Sequence, residues 1–321
     1  MASEIITVEV PPEQADERLD RTLAAVVPGR SRSQLQRLVR DGCVRVDDVV
    51  TARVSERVRA GSRIEVTVPA VAPAQAVPEE LPLDILYQDE DLIVVDKPPG
   101  MVVHPAAGHA TGTLVNALLH AVSDLSGVGG ELRPGIVHRL DKGTSGVMVV
   151  AKNDRTHMAL ARQFHDREVE KEYVTLVWGV VQAGRRIDAP IGRHATNRQK
   201  MSTRARRARA AVTRVVAASP LAGVTLLHVA IATGRTHQVR VHLSAIGHPV
   251  VGDATYGGIR RRWPAHLRSL SALERPFLHA ERLVITHPAD ERRMEFRAPL
   301  ARDLDQVLDG LRADLQRFGE V

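Results

Sequence analysis

The sequence predicts a protein of the α+β class, with a small N-terminal α/β domain and a large domain built on a mixed, mainly antiparallel sheet. The chain has 321 residues, of which 44% are apolar, enough for one large core and one small core. Candidate strands and helices are interspersed without the regular βαβ repeat of a parallel sheet. Residues 71–82 are rich in proline and alanine, which predicts a semi-rigid linker between domains at 1–70 and 83–321.

The N-terminal domain is expected to contain two helices followed by two strands. The second helix falls within SRSQLQRLVRDG, where Ser31 and Gln34 suit a capping box and Gly42 suits the left-handed position after the helix end. CVRVDD and RIEVTV alternate apolar and polar residues, as half-buried strands do. The apolar positions that define the two helices are Leu19, Leu23, Val26 or Val27, Leu35, Leu38 and Val39.

Strands and helices of the large domain are predicted from the spacing of its apolar residues. The expected strands span 92–95, 146–151, 173–181, 211–219 and 224–231. A Lys-Pro-Pro-Gly turn follows the first strand and leads into a second extended piece. The expected helices span 113–122, 155–166 and 300–318. The last helix has one apolar stripe, which predicts a face that covers the core: Leu304, Leu308, Leu311 and Leu315.

Cysteine content and the N-terminus bear on the cellular compartment. The single cysteine, Cys43, excludes a disulfide framework and a cysteine-based zinc site. The N-terminal stretch lacks the basic and apolar regions of a secretory signal, and no run of about 18 apolar residues occurs. We therefore expect a cytoplasmic protein with no membrane partner.

Positive charge is concentrated in one part of the chain. Residues 1–70 hold eleven arginines and eleven acidic residues, so that part is balanced. Residues 193–214, the basic segment, hold eight lysines or arginines and no acid. These are Arg193, Arg198, Lys200, Arg204, Arg206, Arg207, Arg209 and Arg214. Such a run is either a solvated loop or a surface that neutralises phosphates, and the segregation of its charge favours the second.

Several familiar types of catalytic site are excluded by spacing. A nucleophile elbow around Ser145 would need glycine at position 147, which is Val147. The sequence has no HExxH, and His237, His242 and His248 are spaced wrongly for zinc ligands on adjacent helical turns. It also lacks the glycine-rich motifs that hold nucleotide phosphates. We expect an enzyme of this sequence to need no metal and no cofactor.

A lone carboxylate, Asp141, stands in the stretch HRLDKGTSGVMVVAK between two cations and a run of turn-forming residues. An ionised carboxylate without a cofactor suits chemistry at the anomeric carbon of a sugar, which it can attack or stabilise as a cation. Glycosidases usually add a second carboxyl that donates a proton, and no similar motif supplies one here. A leaving group such as uracil, which departs as a delocalised anion, would need less help.

Four ordered motifs carry a family resemblance: DEDLIVVDKPPG at 89–100, HRLDKGTSGVMVVAK at 138–152, EKEYVTLVWG at 170–179 and TGRTHQVRVHLSAIGHPVVGDATYG at 233–257. Together they resemble the large-subunit ribosomal RNA pseudouridine synthases of the RluA/RluD family. Residues 16–68 resemble the alpha-L RNA-binding domain that the RluD branch carries. The resemblance implies the pseudouridine synthase fold and cofactor-free isomerisation of uridine in RNA, and 23S ribosomal RNA is the expected substrate.

The resemblance also implies roles for individual residues. Asp141 matches the essential aspartate, which either attacks the ribose or stabilises its cationic form. Tyr173 matches the tyrosine that packs on the target base and is a candidate acceptor of the C5 proton, and Arg240 matches the arginine that pairs with the aspartate. Arg139 matches an arginine that fills the stack left by the flipped uridine. We expect His138 to shape the turn by hydrogen bonding rather than to transfer protons.

The surroundings of Arg240 predict a helix, although a strand remains possible. Thr236 suits its N-cap and Gly247 its end, so that the helix would span 237–246. Val239, Leu243 and Ile246 would then form the buried stripe of the helix, and Arg240 would lie next to that stripe.

RNA contacts are expected to be made mainly to phosphates. The chain has only nine aromatic residues, too few to line a channel that stacks bases, so binding should depend strongly on salt. RRR at 260–262 is a further candidate. The individual RNA-binding candidates are Arg32, Arg37 and Arg40 on the second N-terminal helix, Arg139 beside Asp141, and Arg198, Lys200, Arg204, Arg206 and Arg207 in the basic segment.

Two other functions stay open at this point. A non-catalytic RNA-binding or ribosome-assembly factor would keep the basic surfaces but would not need Asp141, Tyr173 and Arg240 together. A nucleoside or sugar hydrolase would release free uracil. The sequence does not identify the modified uridines or decide between ribosomal RNA, a ribosomal precursor particle and transfer RNA. A monomer is the simplest expectation.

Overall fold

The computed structural model describes residues 4–27, 32–68, 76–105, 109–122, 134–197, 199–260 and 262–318. The chain divides into two compact units, Met1–Ala74 and Gln75–Val321. Part of the expected linker, 71–75, lies outside the described residues, and 76–82 contains no helix or strand. The predicted α+β class is confirmed.

The N-terminal unit is a four-stranded antiparallel sheet with two helices. Its elements are β1 (Glu4–Glu9), α1 (Leu19–Val26), α2 (Arg32–Arg40), β2 (Val44–Val46), β3 (Val49–Val50) and β4 (Arg63–Val68). The strand order is β1-β4-β2-β3. Both predicted helices and both predicted strands are confirmed, and Gly42 has the expected positive φ of 72°. The sequence prediction missed β1 and β3, and Ser31 lies outside the described residues.

The second unit holds the remaining elements. They are β5 (Asp84–Gln88), β6 (Leu92–Lys97), α3 (Leu114–Ala121), β7 (Ser145–Ala151), α4 (Asp154–Asp166), β8 (Glu170–Trp178), β9 (Arg186–Asp188), β10 (Ile191–Arg193), β11 (Met201–Ser202), β12 (Ala208–Arg209), β13 (Val212–Leu221), β14 (Val224–Ile231), α5 (Gln238–Ala245), β15 (Leu278–Thr286), β16 (Arg293–Arg297) and α6 (Arg302–Phe318). The predicted helices and strands of this unit are all present. The extended piece expected after Lys-Pro-Pro-Gly makes only an isolated bridge, at Val102.

One large mixed sheet organises the second unit. Its strand order is β5-β6-β7-β15-β8-β14-β13-β9, with β16 also paired to β15. Among these pairings β7 and β15 run parallel and the others antiparallel, so the sheet is mixed and mainly antiparallel as predicted. Because β15 lies between β7 and β8, it sets the spacing of the two strands that carry the motifs of Asp141 and Tyr173.

The sequence prediction missed this central strand. β15 contains Glu281 and Arg282 in its middle, which interrupt the apolar pattern, and its pairing with β8 shifts register at that point. The Arg282 guanidinium is nevertheless accommodated, because Glu170, Glu172 and Glu295 on the neighbouring strands pair with it at 2.9–3.0 Å. Cross-strand ion pairs of this kind cannot be read from the pattern of one strand.

A glycine at the start of β7 permits close contact with β15. Gly146 has φ of 118°, and a Cβ built there would lie 2.2 Å from the carbonyl oxygen of Ala280. A side chain at this position would therefore push β7 away from β15. This close approach fixes the end of the turn that carries Asp141.

Helix α6 covers the core as predicted. Leu304, Leu308 and Leu311 are buried, and Leu315 packs against the core from a partly buried position. The helix also contacts the 3-10 helix Ala265–Ala272. Among the described residues, no helix is long and apolar enough to cross a membrane.

Two carboxylates face each other across β5 and β6. Asp84 and Asp96 are register partners, and burial together with the charge of Asp84 raises the pKa of Asp96 to about 6. A raised folded-state pKa contributes stability at low pH that is lost as the pH rises through about 6. Asp96→Asn should therefore raise the melting temperature at pH 8, by about 2–4 °C, and lose this advantage towards pH 4.

Thermal unfolding of both proteins across this pH range tests the prediction. Asp84→Asn is the matched control, because it removes the facing charge and should give a smaller gain of the same sign. An equal melting difference at pH 8 and pH 4 would contradict the assignment.

Candidate active site

Asp141 lies in a tight turn immediately before β7. The carbonyl oxygen of Asp141 accepts a hydrogen bond from the Thr144 amide at 3.0 Å, which closes the turn. The Gly100 amide donates to the Lys142 carbonyl at 2.7 Å, and Arg275 Nη1 donates to the Gly143 carbonyl at 2.9 Å. The turn is therefore held by the Lys-Pro-Pro-Gly segment and by an arginine that sequence reasoning did not single out.

Arg240 lies on helix α5, so the predicted helix around this residue is confirmed and the alternative of a strand is excluded. Its end at Gly247, which has φ of 87°, also matches the prediction. The predicted N-cap, Thr236, is wrong: the cap residue is His237, whose φ of 57° is left-handed, and no side chain caps the helix. The Gln238 amide oxygen instead accepts hydrogen bonds from the Arg235 amide at 3.1 Å and the Thr233 hydroxyl at 2.7 Å. The side chain that orders this loop therefore comes from the helix itself.

Arg240 is bound by two carboxylates. Its Nη1 donates to Asp141 Oδ2 at 3.1 Å, while Nε and Nη2 donate to the two oxygens of Asp253 at 2.6 and 2.9 Å. Asp253 is fully buried, and its carboxylate also accepts hydrogen bonds from the Thr255 and Tyr256 amides. This bidentate pair fixes the plane of the guanidinium and leaves one nitrogen for Asp141. Hydrogen bonds and the charges of both acids raise the pKa of Arg240 further, against the effect of burial.

His237 is a third group beside the carboxylate of Asp141. Its Nε2 lies 3.8 Å from Asp141 Oδ2, and its Nδ1 lies 2.8 Å from the Tyr256 hydroxyl, which accepts a hydrogen bond from the Met201 amide. Burial lowers the pKa of His237, although Asp141 acts in the opposite direction. The left-handed backbone of His237 costs free energy, and such strain is concentrated at functional sites.

Tyr173 lies on β8 and contributes to the same cavity. This cavity measures about 70 Å³ and is lined by Asp141, Tyr173 and Arg139 among others. Tyr173 is 9% exposed, and burial together with the charge of Asp141 raises the pKa of its hydroxyl. The side chain is therefore a neutral phenol, and its ring forms part of the cavity wall.

His138 and Arg139, three and two residues before Asp141, differ in role. Arg139 is exposed and lines the cavity. His138 accepts a hydrogen bond from the Val149 amide at 3.0 Å and stacks on Phe164 at 4.6 Å between ring centroids. Burial lowers the pKa of His138 to about 3, so its ring is neutral. The hydrogen bond expected for His138 is present, but it joins this residue to β7 rather than to the turn.

The RNA-binding candidates of the N-terminal unit all lie on α2. Arg32 donates to the fully buried Asp20 at 2.7 and 3.1 Å, which orients its guanidinium while 47% of its side chain stays exposed. Arg37 lies 3.5 Å from Asp41, and Arg40 is exposed. Arg32 therefore also stabilises the domain, a role that helical spacing did not indicate.

The basic segment is more ordered than a solvated loop. It contributes β11 and β12, which flank β10 in a small antiparallel sheet. Arg204, Arg206 and Arg207 are exposed, and Lys200 is half-buried. Met201 and Tyr256 pack on a small core that includes Val241 of α5. Arg198 and Arg261 lie outside the described residues.

The structure thus brings together Asp141, Tyr173, Arg240 and Arg139, from segments far apart in the chain. Sequence reasoning missed Asp253, His237, Tyr256 and Arg275. The first three stand inside the quoted motif at 233–257, but nothing in the spacing of that motif shows that Asp253 is buried against Arg240.

Asp141, held by the buried guanidinium of Arg240 at a cavity that Arg139 and Arg235 line, suits an enzyme that acts on the sugar of a nucleic acid. Comparisons with known proteins identify the family. Residues 91–245 match the family described as RNA pseudouridylate synthase, and residues 17–64 match the S4 domain.

Relatives match over nearly the whole chain. An uncharacterized RNA pseudouridine synthase of Aquifex aeolicus is 46% identical over 297 residues, covering 92% of this chain and 93% of that protein. Ribosomal large subunit pseudouridine synthase D of Pseudomonas aeruginosa is 42% identical over 314 residues, 97% of each chain. The structure of human RNA pseudouridylate synthase domain containing 1 matches with a TM-score of 0.53 and 30% identity, covering 73% of this chain and 96% of that chain.

The chain therefore belongs to the RNA pseudouridylate synthase family, with an N-terminal S4 domain. It is an enzyme that isomerises uridine to pseudouridine in RNA, and RNA is its partner. The predicted resemblance to the RluD branch is confirmed, and the non-catalytic alternative gains no support.

Proposed function

We propose that this protein converts uridines of large-subunit (23S) ribosomal RNA to pseudouridine, with Asp141 as the group that acts on the ribose. The observation that carries the proposal is the ion pair of Asp141 with Arg240 in a cavity walled by Tyr173. Relatives named ribosomal large subunit pseudouridine synthase D support this substrate. The predicted absence of a cofactor remains part of the proposal.

The residues of the cavity suggest how the isomerisation proceeds. The bond between ribose C1′ and uracil N1 breaks, and Asp141 either bonds to C1′ or stabilises its positive charge. The uracil then turns while held in the cavity and forms a new bond from C5 to C1′. In the covalent route this step breaks the bond between Asp141 and C1′ and returns the carboxylate. The proton leaves C5, and N1 acquires a proton, so that atoms and charge balance. Both routes for Asp141 remain open, because each needs the same ionised carboxylate.

Tyr173 is proposed to pack on the uracil and to accept the C5 proton. Because its pKa is raised, it enters the reaction as a phenol and must pass on its own proton. Tyr173→Phe keeps the ring, so we expect RNA affinity to stay within about threefold while the rate falls about 10²–10⁴-fold.

A deuterium substitution at C5 tests that step in single-turnover kinetics. The variant should show an isotope effect that the wild-type enzyme lacks. A variant of unchanged rate, or one with lost RNA affinity, would contradict the assigned role.

We propose that the protein binds RNA largely through contacts to its phosphates. Arg139 would fill the stack left by the flipped uridine, and the other candidates would contact the backbone. They are Arg32, Arg37 and Arg40 on α2 and Arg198, Lys200, Arg204, Arg206 and Arg207 in the basic segment. We further propose that the protein acts as a monomer in the cytoplasm, where ribosomal RNA is available.

Nucleoside analysis of RNA incubated with the enzyme tests the substrate. Fragments of large-subunit ribosomal RNA should gain pseudouridine and release no free uracil, and equal amounts of transfer RNA should gain none. Pseudouridine in transfer RNA alone would overturn the ribosomal assignment. Stoichiometric free uracil would favour a hydrolase.

A further inference from the structure

A second cavity adjoins the one that holds Asp141. It measures about 370 Å³ and shares Arg139, Tyr173, Ile231, Gly234 and Arg235 with the smaller cavity. A nucleotide that enters the smaller cavity therefore brings its neighbouring backbone to the larger one. The residues found only in the larger cavity are His104, Ile136, Val137, His138, Phe164 and Lys171.

Lys171 is a buried cation in the wall of this second cavity. It stands two residues before Tyr173 on β8, so both side chains project from the same face of the sheet. The residue is only 9% exposed, and its Nζ lies 5.5 Å from the centroid of the Phe164 ring. Among the described residues, no acid forms an ion pair with Lys171. Burial lowers the pKa of its amine to about 8, so the amine stays mostly protonated at neutral pH.

The charged side chains that line this cavity are basic. Arg139 and Arg235 also line the cavity, and no carboxylate is found among its described lining residues. His138, which also lines the cavity, is neutral and already accepts a hydrogen bond from the Val149 amide. A buried ammonium without a counter-ion is costly, and an anion that enters with the substrate removes that cost.

We propose that Lys171 binds a phosphodiester group directly adjacent to the target uridine, with Arg139 and Arg235 at the edge of the same cavity. This inference rests on the proposed function, because it takes the smaller cavity as the place of the flipped uridine. The smaller cavity, which Asp141 lines, then receives the sugar and base of the target uridine. The larger cavity receives the adjacent phosphate. Asp141 itself would repel a phosphate, which agrees with that division.

A second use of Lys171, as the base that removes the C5 proton, is less well supported. Three cations around one cavity match an anion, whereas a general base needs no further positive charge beside it. The two roles are separated by arginine, which keeps the charge but cannot give up a proton under these conditions.

The test uses the full-length protein and a hairpin RNA that the wild-type enzyme modifies. Lys171→Met should weaken RNA binding about tenfold at moderate salt, since one charge-assisted hydrogen bond is lost. The slope of log affinity against log salt should fall by about 0.7–0.9. Lys171→Arg should retain most of the affinity and rate. Arg312→Met, which removes one exposed charge from α6, is the matched control and should change neither quantity.

Folding is monitored in parallel, because Lys171 is buried. Lys171→Met should melt at or above the wild-type temperature, since it removes an unpaired charge from the interior. A weakened RNA affinity with undiminished stability cannot come from a damaged fold.

Neutral methylphosphonate at either phosphate beside the target uridine identifies the partner. At one of the two positions the wild-type enzyme should lose about as much affinity as Lys171→Met does, and the variant should lose no more. The inference would be overturned if methylphosphonate at each of the two positions cost Lys171→Met as much affinity as it costs the wild-type enzyme. It would also be overturned if Lys171→Met bound unmodified RNA as tightly as the wild-type enzyme does. Loss of rate with intact binding in both variants would make Lys171 the base instead. If the wild-type enzyme formed no pseudouridine in any RNA, the proposed function would fail first.

Discussion

Arg240→Met is expected to abolish pseudouridine formation and to lower the free energy of unfolding by about 3–5 kcal/mol. The guanidinium neutralises Asp253, which is fully buried, and orients Asp141 through a third hydrogen bond. Without this guanidinium, the Asp253 carboxylate has no counter-ion in the core, and the Asp141 carboxylate is no longer held in one orientation. Urea unfolding and single-turnover kinetics measure the two effects separately.

The double variant Arg240→Met, Asp253→Asn is the control for this prediction. It removes the stranded charge, so it should recover much of the lost stability but none of the activity. Arg240→Lys keeps a charge but cannot make the bidentate pair, and its activity should be strongly reduced. A stable and active Arg240→Met protein would show that the guanidinium holds neither carboxylate.

Asp141→Asn is expected to slow pseudouridine formation by at least about 10⁴-fold, because an amide can neither attack the ribose nor balance its positive charge. Arg240 keeps both hydrogen bonds to Asp253 in this variant, so the fold and the cavity should persist. RNA affinity should stay within about threefold. Chromatography of digested RNA measures the reaction, and filter binding measures the affinity.

The positions of the central residues could largely be predicted from the sequence. Asp141 and Arg240 are 99 residues apart, and their pairing was implied by the family resemblance of the motifs that contain them. The helix around Arg240, its end at Gly247 and the strand that carries Tyr173 follow from apolar spacing and from one glycine with positive φ. The helix, its end and the strand depend on local patterns, which a single sequence records directly.

The parts that were missed depend on contacts between distant segments. Asp253 looks like any acid near a turn until the fold buries it against Arg240. β15 escapes notice because Arg282 breaks its apolar run, and the glutamates that compensate for it lie on other strands. Lys171 lies outside the predicted strand at 173–181, and only the assembled sheet shows that it is buried and faces a cavity. Burial of a charge is a property of the tertiary structure.

Release of tritium from C5-labelled uridine in large-subunit ribosomal RNA fragments is the most direct test of the central claim. The wild-type enzyme should release tritium in step with pseudouridine formation. Asp141→Ala, at RNA concentrations that saturate both proteins, should release none above the rate without enzyme. Equal release by the two proteins would contradict the claim that this carboxylate drives the reaction.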